Sequence, residues 1–283
     1  MKENRLLDGE YAEAYAGGAG IALELLFHEY VSRIHINDLS RPIYAFWYSV
    51  LNNTDRLCGL IRDTPTDVNS WDAQKRVFAN GVGADNLALG FATFFLNRTN
   101  RSGILNGGII GGRDQTGPWK IDARYNRKEL IYRIEAIAKM KSRINLTDMD
   151  ALDFLGDGVT KWPAKTLIYL DPPYYVKGRD LYYDYYQHED HEAVAKFVLS
   201  KLVHHKWIVS YDNVRKIREL YTGCQRLAYE LGYSARESRE GAEVMFFSRA
   251  LNVCPLVGPF KLIRGTMTNK KKADELYSRE EAE

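Results

Sequence analysis

One carboxylate, two prolines and a tyrosine stand in a row at Asp171-Pro172-Pro173-Tyr174, directly after the apolar run Thr166–Leu170. That run reads as a strand, so Asp171 falls at its carboxyl end, where ligands sit in open α/β sheets. The two prolines fix the backbone and remove two N–H donors. A carbonyl in such a turn is held still and can serve as a preorganised hydrogen-bond acceptor. This grouping suits methylation of an exocyclic nucleobase amine. Such an amine is a poor nucleophile because its lone pair is delocalised into the ring. Two acceptors, the Asp171 carboxylate and the Pro172 carbonyl, would each take one N–H bond, localise the lone pair and aim it at a methyl donor. Tyr174 supplies a flat ring on which a base taken out of its duplex can stack. The competing reading is an ordinary turn closing a strand, since Asp and Pro favour turns.

Elements early in the chain must hold the donor. A short strand is expected at 11–15, then the glycine loop Ala16-Gly17-Gly18-Ala19-Gly20, a helix at 21–30 and a second strand at 33–37 that ends on Asp38. Small residues let a cofactor approach the backbone. Asp38 follows Gly17 by 21 residues, the spacing at which an acidic side chain reaches a ribose diol. The plainer alternatives are close strand–helix packing for the loop and capping of the next helix, which starts near Ser40, for Asp38.

The pattern changes from about residue 54 to 141. Helices are predicted at 71–80, 86–97 and 127–141, and Gly103, Gly107, Gly108, Gly111, Gly112 and Gly117 interrupt the stretch between the last two. A long mobile loop within an insertion is expected there. The α/β rhythm then resumes, with strands at 143–146, 166–170 and 206–210 and helices at 190–202 and 214–221. A terminal antiparallel pair is expected near 226–229 and 244–248.

The 283 residues are 45% hydrophobic and 12% aromatic, enough for one large α/β domain with an inserted lobe. We divide the chain into a catalytic domain (1–53 and 142–260), an inserted lobe (54–141) and a charged tail (261–283). A net charge of +2 excludes a polycation, so any nucleic-acid surface must come from local clustering. Cys58, Cys224 and Cys254 form no CxxC pair, which argues against a zinc site or a disulfide framework and for reduced thiols in a cytoplasmic protein. Neither a signal peptide nor a membrane-spanning apolar run is read from the chain, and no metal is expected.

The strings YAEAYAGGAG, IND and LDPPY, in that chain order, resemble the DNA adenine methyltransferases of the Dam-like group. FATFFLNRTNRSGIL (91–105) and SYDNVRKIRELY (210–221) are similar to further parts of that family, so the resemblance spans about residues 11–248. It implies a Rossmann-like methyltransferase sheet with helices on both faces and a mainly helical DNA-recognition lobe inserted between the cofactor half and the catalytic half. It implies transfer from S-adenosylmethionine to the N6 amino group of adenine in duplex DNA after base flipping. By position, Glu13, Ala16, Gly17, Gly18 and Gly20 would line the S-adenosylmethionine site. Asp38 would bind the ribose hydroxyls, Asp150 would reach the cofactor's adenine, and Asp171, Pro172, Pro173 and Tyr174 would hold the target base. Members of the group usually carry a further N-terminal segment with a tryptophan and a lysine that touches the cofactor. The residues before the first strand here do not match it, so the cofactor's methionine end is expected to be held differently. A cognate restriction endonuclease is a candidate partner.

Residues 98–143 hold eleven Lys/Arg and four Asp/Glu, a local charge of about +7. Arg98, Arg101, Arg113, Lys120, Arg124 and Arg127 surround the glycine-rich loop and are the expected phosphate contacts, with the loop reading bases or entering the duplex. The plainer reading is a solvated helix face. Tyr174, Tyr175, Tyr182, Tyr183, Tyr185 and Tyr186, with Lys177 and Arg179, are candidates for a lid over the flipped base, against ordinary packing. His188 and His191 read as helix-start residues rather than metal ligands. Two other functions stay open on sequence alone. One is methylation of cytosine's exocyclic amine, whose enzymes more often begin the motif with serine. The other is a catalytically silent DNA-binding module of the same fold.

Overall fold

The computed structural model describes residues 1–176, 186–231, 241–253 and 261–262. In chain order the elements are β1 (Gly9–Glu13), α1 (Gly20–Phe27), β2 (Val31–Asn37), α2 (Arg41–Asn52), α3 (Thr54–Asp63), α4 (Val68–Ala79), α5 (Asn86–Thr99) and α6 (Arg127–Lys139). They continue with β3 (Ile144–Thr147), α7 (Ala151–Lys161), β4 (Thr166–Leu170), α8 (His188–Lys201), β5 (Lys206–Asp212), α9 (Arg215–Leu220), β6 (Gln225–Leu231), β7 (Gly241–Phe247) and the short β8 (Lys261–Leu262). The strands are ordered β3-β2-β1-β4-β5-β7-β6-β8. β1, β4 and β5 run parallel, while β7 is antiparallel to both β5 and β6. A parallel sheet whose order reverses between β1 and β4, closed by an antiparallel terminal pair, is the Rossmann-like methyltransferase arrangement.

The chain forms two compact units, residues 1–35 with 151–283, and residues 36–150. In the first, β4 is buried along its whole length, as a central parallel strand must be, and its sequence TLIYL is a continuous apolar and β-branched run. β1 pairs with β4 in register from Glu10↔Thr166 to Glu13↔Tyr169, and β4 pairs with β5 from Leu167↔Lys206 to Leu170↔Val209. The carboxyl ends of β1 and β4 therefore lie side by side at the switch point. α7 was not foreseen, because Gly156 and Gly158 interrupt its periodicity. Gly158 is needed for packing, since a Cβ there would lie 2.3 Å from the Trp162 ring.

In the second unit α2 lies against α5. Phe46 stacks on Phe94 at 5.9 Å, and the Ser49 hydroxyl donates to the Asn86 carbonyl at 2.8 Å. A Cβ on Gly90 would come within 2.4 Å of the Ala45 carbonyl oxygen, so this close approach requires glycine. That contact places α2 with the inserted helices, in the compact unit of residues 36–150. α3 was also unforeseen, its apolar positions being few and split by Gly59.

The glycine-rich stretch is not an open loop. The Arg101 N–H donates to the Gly108 carbonyl at 2.9 Å, and the Ile110 N–H to the Thr99 carbonyl at 2.9 Å. Two amide side chains pin the turns. Asn100, fully buried, donates to the carbonyls of Ile104 and Leu105 and accepts from the Trp71 indole at 2.7 Å. Gln115 donates to the carbonyls of Ile110 and Gly112 and accepts from the Ile121 N–H. Gly103, Gly111 and Gly112 take positive φ of 74°, 84° and 78°, which is what the turns demand of them.

Candidate active site

β1 and β4 deliver two loops from adjacent strand ends. The ladder continues one step past β1, where the Ala14 N–H donates to the Tyr169 carbonyl at 3.2 Å. The chain then turns through Tyr15 to Ala19, with the Ala19 N–H on the Ala16 carbonyl and positive φ at Gly17 (47°) and Ala19 (46°). The N-cap residue of α1, Ala19, makes no side-chain capping bond, which leaves its first backbone N–H groups the capacity for a ligand. A Cβ built on Gly17, Gly18 or Gly20 meets no heavy atom within 4 Å. Close packing does not account for these glycines. Room beside exposed backbone does, and it fits the approach of a nucleotide-like cofactor. Glu13, the last residue of β1, is buried, and so is Ala16.

Asp171 follows β4 and is half-buried. Its Oδ1 accepts from the Ser210 hydroxyl at 2.6 Å, and the same hydroxyl oxygen lies 2.8 Å from the Tyr169 phenol. A serine has one proton to donate, so with that proton on Asp171 it is Tyr169 that donates to Ser210. The result is a relay, Tyr169 to Ser210 to Asp171, that fixes the carboxylate's rotamer. Burial raises the Asp171 pKa, the Ser210 bond opposes that rise, and the nearby Glu243 charge adds to it. Burial likewise raises the Tyr169 phenol, which keeps it a donor.

The motif is anchored beyond its own residues. Asp212, at the end of β5, accepts the backbone N–H groups of Tyr175 and Val176 at 2.8 and 2.9 Å, clamping the turn that follows the prolines. The Tyr174 phenol donates to Glu243 of β7 at 3.0 Å. Sequence reading missed Ser210, Asp212 and Glu243 as site residues. Ser210 and Asp212 lie in the SYDN string that drew notice only as a resemblance. Glu243 sits in an unremarkable strand, and only the pairing of β7 with β5 brings it to the site.

The other expected residues are placed as follows. Within residues 36–150, the Asp38 carboxylate accepts from the Ser40 N–H at 2.9 Å and so does turn the chain into α2. The Asp38 N–H donates to the Thr147 carbonyl, and the buried Asn37 side chain accepts from the Thr147 hydroxyl and the Met149 N–H and donates to the Met149 carbonyl. Asn37 thus ties the segment carrying Asp38 to the one carrying Asp150, which is exposed. Of the candidate lid, Tyr182, Tyr183, Tyr185, Lys177 and Arg179 lie outside the described residues. Tyr175 packs on His188 and His191, and Tyr186 packs on His191 with its hydroxyl 3.1 Å from that of Tyr15. His188 opens α8, and His191 is buried with Nδ1 3.1 Å from the Tyr211 hydroxyl. Burial lowers the His191 pKa, so it is a neutral packing group at physiological pH. Among the described residues no cluster of three His, Cys, Asp or Glu side chains could hold a metal ion, and no helix is long and apolar enough to cross a membrane. Cys58 and Cys224 are free thiols, and Cys254 lies outside the described residues.

The six basic candidates differ from one another. Arg98 is half-buried and donates to the Arg124 carbonyl, and Arg124 donates to the Asn100 carbonyl. Burial, with the charges of Arg124 and Arg133, lowers the Arg98 pKa. Arg127 donates to the Thr64 carbonyl and the Thr66 hydroxyl and lies over the Tyr125 ring. Arg113 makes a two-pronged ion pair with Asp72 at 2.8 and 2.9 Å, and Lys120 donates to the Gln115 carbonyl. The Arg101 side chain is exposed and makes no hydrogen bond or ion pair among the described residues.

A glycine turn and the strand-end Asp-Pro-Pro-Tyr lie side by side at the switch point of a Rossmann-like sheet, the arrangement expected of a methyltransferase acting on an exocyclic amine. The family model of the D12 class N6 adenine-specific DNA methyltransferases matches residues 2–234, and the chain belongs to that family. It is therefore an adenine-specific DNA methyltransferase that modifies N6, and the cytosine and silent-module readings give way. No curated protein sequence matches the chain. Among solved structures it is similar to a conserved hypothetical protein of Streptococcus pyogenes, at 12% identity and a TM-score of 0.32 over 85% of this chain and 86% of that one. It is also similar to the rRNA methyltransferase aviRa from Streptomyces viridochromogenes, at 12% identity and a TM-score of 0.32 over 86% and 77% of the two chains.

Proposed function

We propose that the methyl donor is S-adenosylmethionine and that the target adenine is methylated after rotating out of duplex DNA onto Tyr174. The observation that supports this best is the Asp171 carboxylate, half-buried, oriented by Ser210 at 2.6 Å and placed on the strand next to the glycine turn. S-adenosylmethionine, when bound, supplies an electrophilic methyl group on a sulfonium. Ala16, Gly17, Gly18 and Gly20 are the proposed backbone cradle for it, with Glu13 beside them. Asp38 is the proposed partner of the ribose hydroxyls and Asp150 of the cofactor's adenine. Asp171 and the Pro172 carbonyl each accept a hydrogen bond from one N–H of the target amino group, which localises the nitrogen lone pair. Pro173 keeps that carbonyl from drifting, and Tyr174 stacks on the base.

Residues 54–141 are the proposed DNA-recognition lobe, with Arg98, Arg101, Arg113, Lys120, Arg124 and Arg127 as its basic face and duplex DNA as its ligand. Action in the cytoplasm and pairing with a cognate restriction endonuclease complete the proposal. To test it, full-length protein is incubated with labelled S-adenosylmethionine and mixed-sequence duplex, and the nucleosides are identified after digestion. N6-methyladenine is expected from the wild type. Asp171→Ala should give about a thousandfold less while still binding S-adenosylmethionine by calorimetry, and transfer by that variant at the wild-type rate would overturn the assignment.

A further inference from the structure

Glu243 stands in the middle of β7, opposite Asp212 of β5 on one side and Tyr229 of β6 on the other. Its two carboxylate oxygens serve two phenols. Oε1 accepts from the Tyr174 hydroxyl at 3.0 Å and Oε2 from the Tyr229 hydroxyl at 2.8 Å. Both carboxylate oxygens thus serve as acceptors, one for each phenol. Tyr229 is a buried strand residue, paired in the sheet with Glu243 itself, so it forms the fixed end of the bridge. Tyr174 lies outside the regular strands, in the turn after the prolines. Its backbone is settled by those prolines, and the N–H groups of the two residues after it are clamped by Asp212. The ring itself still has two side-chain torsions. A bond at the far end of the ring fixes the first of these, because turning it swings the hydroxyl away from its acceptor, while the second turns the ring about the axis that carries the hydroxyl.

We infer that Glu243 is a positioning residue for methyl transfer, bridging Tyr174 to the Tyr229 strand and so setting where the ring stands on which the target adenine stacks. This rests on the reading of Tyr174 as the stacking ring. The bridge involves no atom of the reacting groups. It acts by having the stacking surface in place before the base arrives, so the ordering cost is met in folding rather than in the transition state.

A double-mutant cycle tests it on the full-length protein, using labelled S-adenosylmethionine and unmethylated mixed-sequence duplex DNA under single-turnover conditions. Glu243→Gln keeps the side chain's size but cannot accept from both phenols. Tyr174→Phe keeps the ring and cuts the same bond from its other end, so the test survives a Glu243→Gln chain that does not fold. Each substitution should slow methyl transfer roughly tenfold, as expected for a bond to a charged acceptor. S-adenosylmethionine affinity by calorimetry should stay within about twofold in each. The double variant should be no slower than the slower single one, since both remove one shared interaction. Wild-type rates in both single variants, or losses that multiply in the double variant, would overturn the inference. Tyr174→Ala separates it from the reading beneath it. A large loss there with wild-type rates for Glu243→Gln and Tyr174→Phe sinks the bridge alone, and a wild-type rate for Tyr174→Ala sinks the stacking role as well.

Discussion

The catalytic end of the sheet and the basic stretch of residues 98–143 use charge in opposite ways. At the sheet end, Asp171 and Asp212 are held by short hydrogen bonds from Ser210 and from backbone N–H groups, so each charge has a fixed position. In the basic stretch five of the six candidate groups are engaged by partners in their own unit. Arg98, Arg124 and Arg127 donate to carbonyls and hydroxyls of their own unit, Lys120 holds a carbonyl, and Arg113 faces Asp72, while Arg101 stands exposed. A count of charges overstates a DNA surface when guanidinium groups also tie turns together. A chemical motif read at the end of a strand does not suffer from this, because its geometry comes with its sequence.

The sharpest way to break this contrast is at Asp171. Asp171→Ala should lower methyl transfer about a thousandfold, the scale on which a preorganised electrostatic contact acts, with binding of S-adenosylmethionine preserved. The same residue predicts a pH profile. Burial raises its pKa and the Glu243 charge adds to the rise. The reaction uses the ionised form, which is lost as pH falls through the raised pKa. The acid limb of the rate should therefore lie above the ordinary carboxylate range, and Glu243→Gln should move it toward lower pH. A limb at the ordinary aspartate position would count against the burial argument.

Next in size is Arg127→Ala, which removes hydrogen bonds to Thr64 and Thr66 and the cover of Tyr125. It should destabilise the protein by about 2 kcal/mol in urea unfolding. Arg101→Ala should do the reverse, leaving unfolding unchanged while weakening DNA binding and lowering the salt slope by about one. A stability loss at Arg101, or a pure binding loss at Arg127, would erase the distinction drawn here. The smallest effect is expected at Arg113. Its guanidinium already faces Asp72, so Arg113→Ala should flatten the salt slope less than Arg101→Ala does, and Asp72→Asn should strengthen DNA binding slightly. Fluorescence anisotropy over a salt series measures all three.

The legible parts of the fold were those with local causes. β4 was read at its observed limits because an apolar run ending in Asp-Pro-Pro admits few other structures. The glycine turn and α1 followed from residue type. The turns of residues 100–126 were not legible as turns, because Asn100 and Gln115 look like ordinary polar residues until their amides are seen to meet several backbone groups each. The same limit hid Glu243 and Ser210. Ser210 lies in a string noticed only as a resemblance and Glu243 in an unremarkable strand, and strand order joins Ser210 to Asp171 across 39 positions and Glu243 to Tyr174 across 69.

The strand order also bears on how the molecule is made. β6 pairs with β7 and β8, and reaches the parallel strands only through β7. As the chain leaves the ribosome, β6 emerges before it has any edge to join, and it must wait until residue 247 is free for β7 to slot against β5. The glycine turn and Asp-Pro-Pro-Tyr are synthesised well before that. Glu243, the partner of the Tyr174 hydroxyl, arrives with β7, so the Asp-Pro-Pro-Tyr turn is synthesised well before the strand its ring is bonded to.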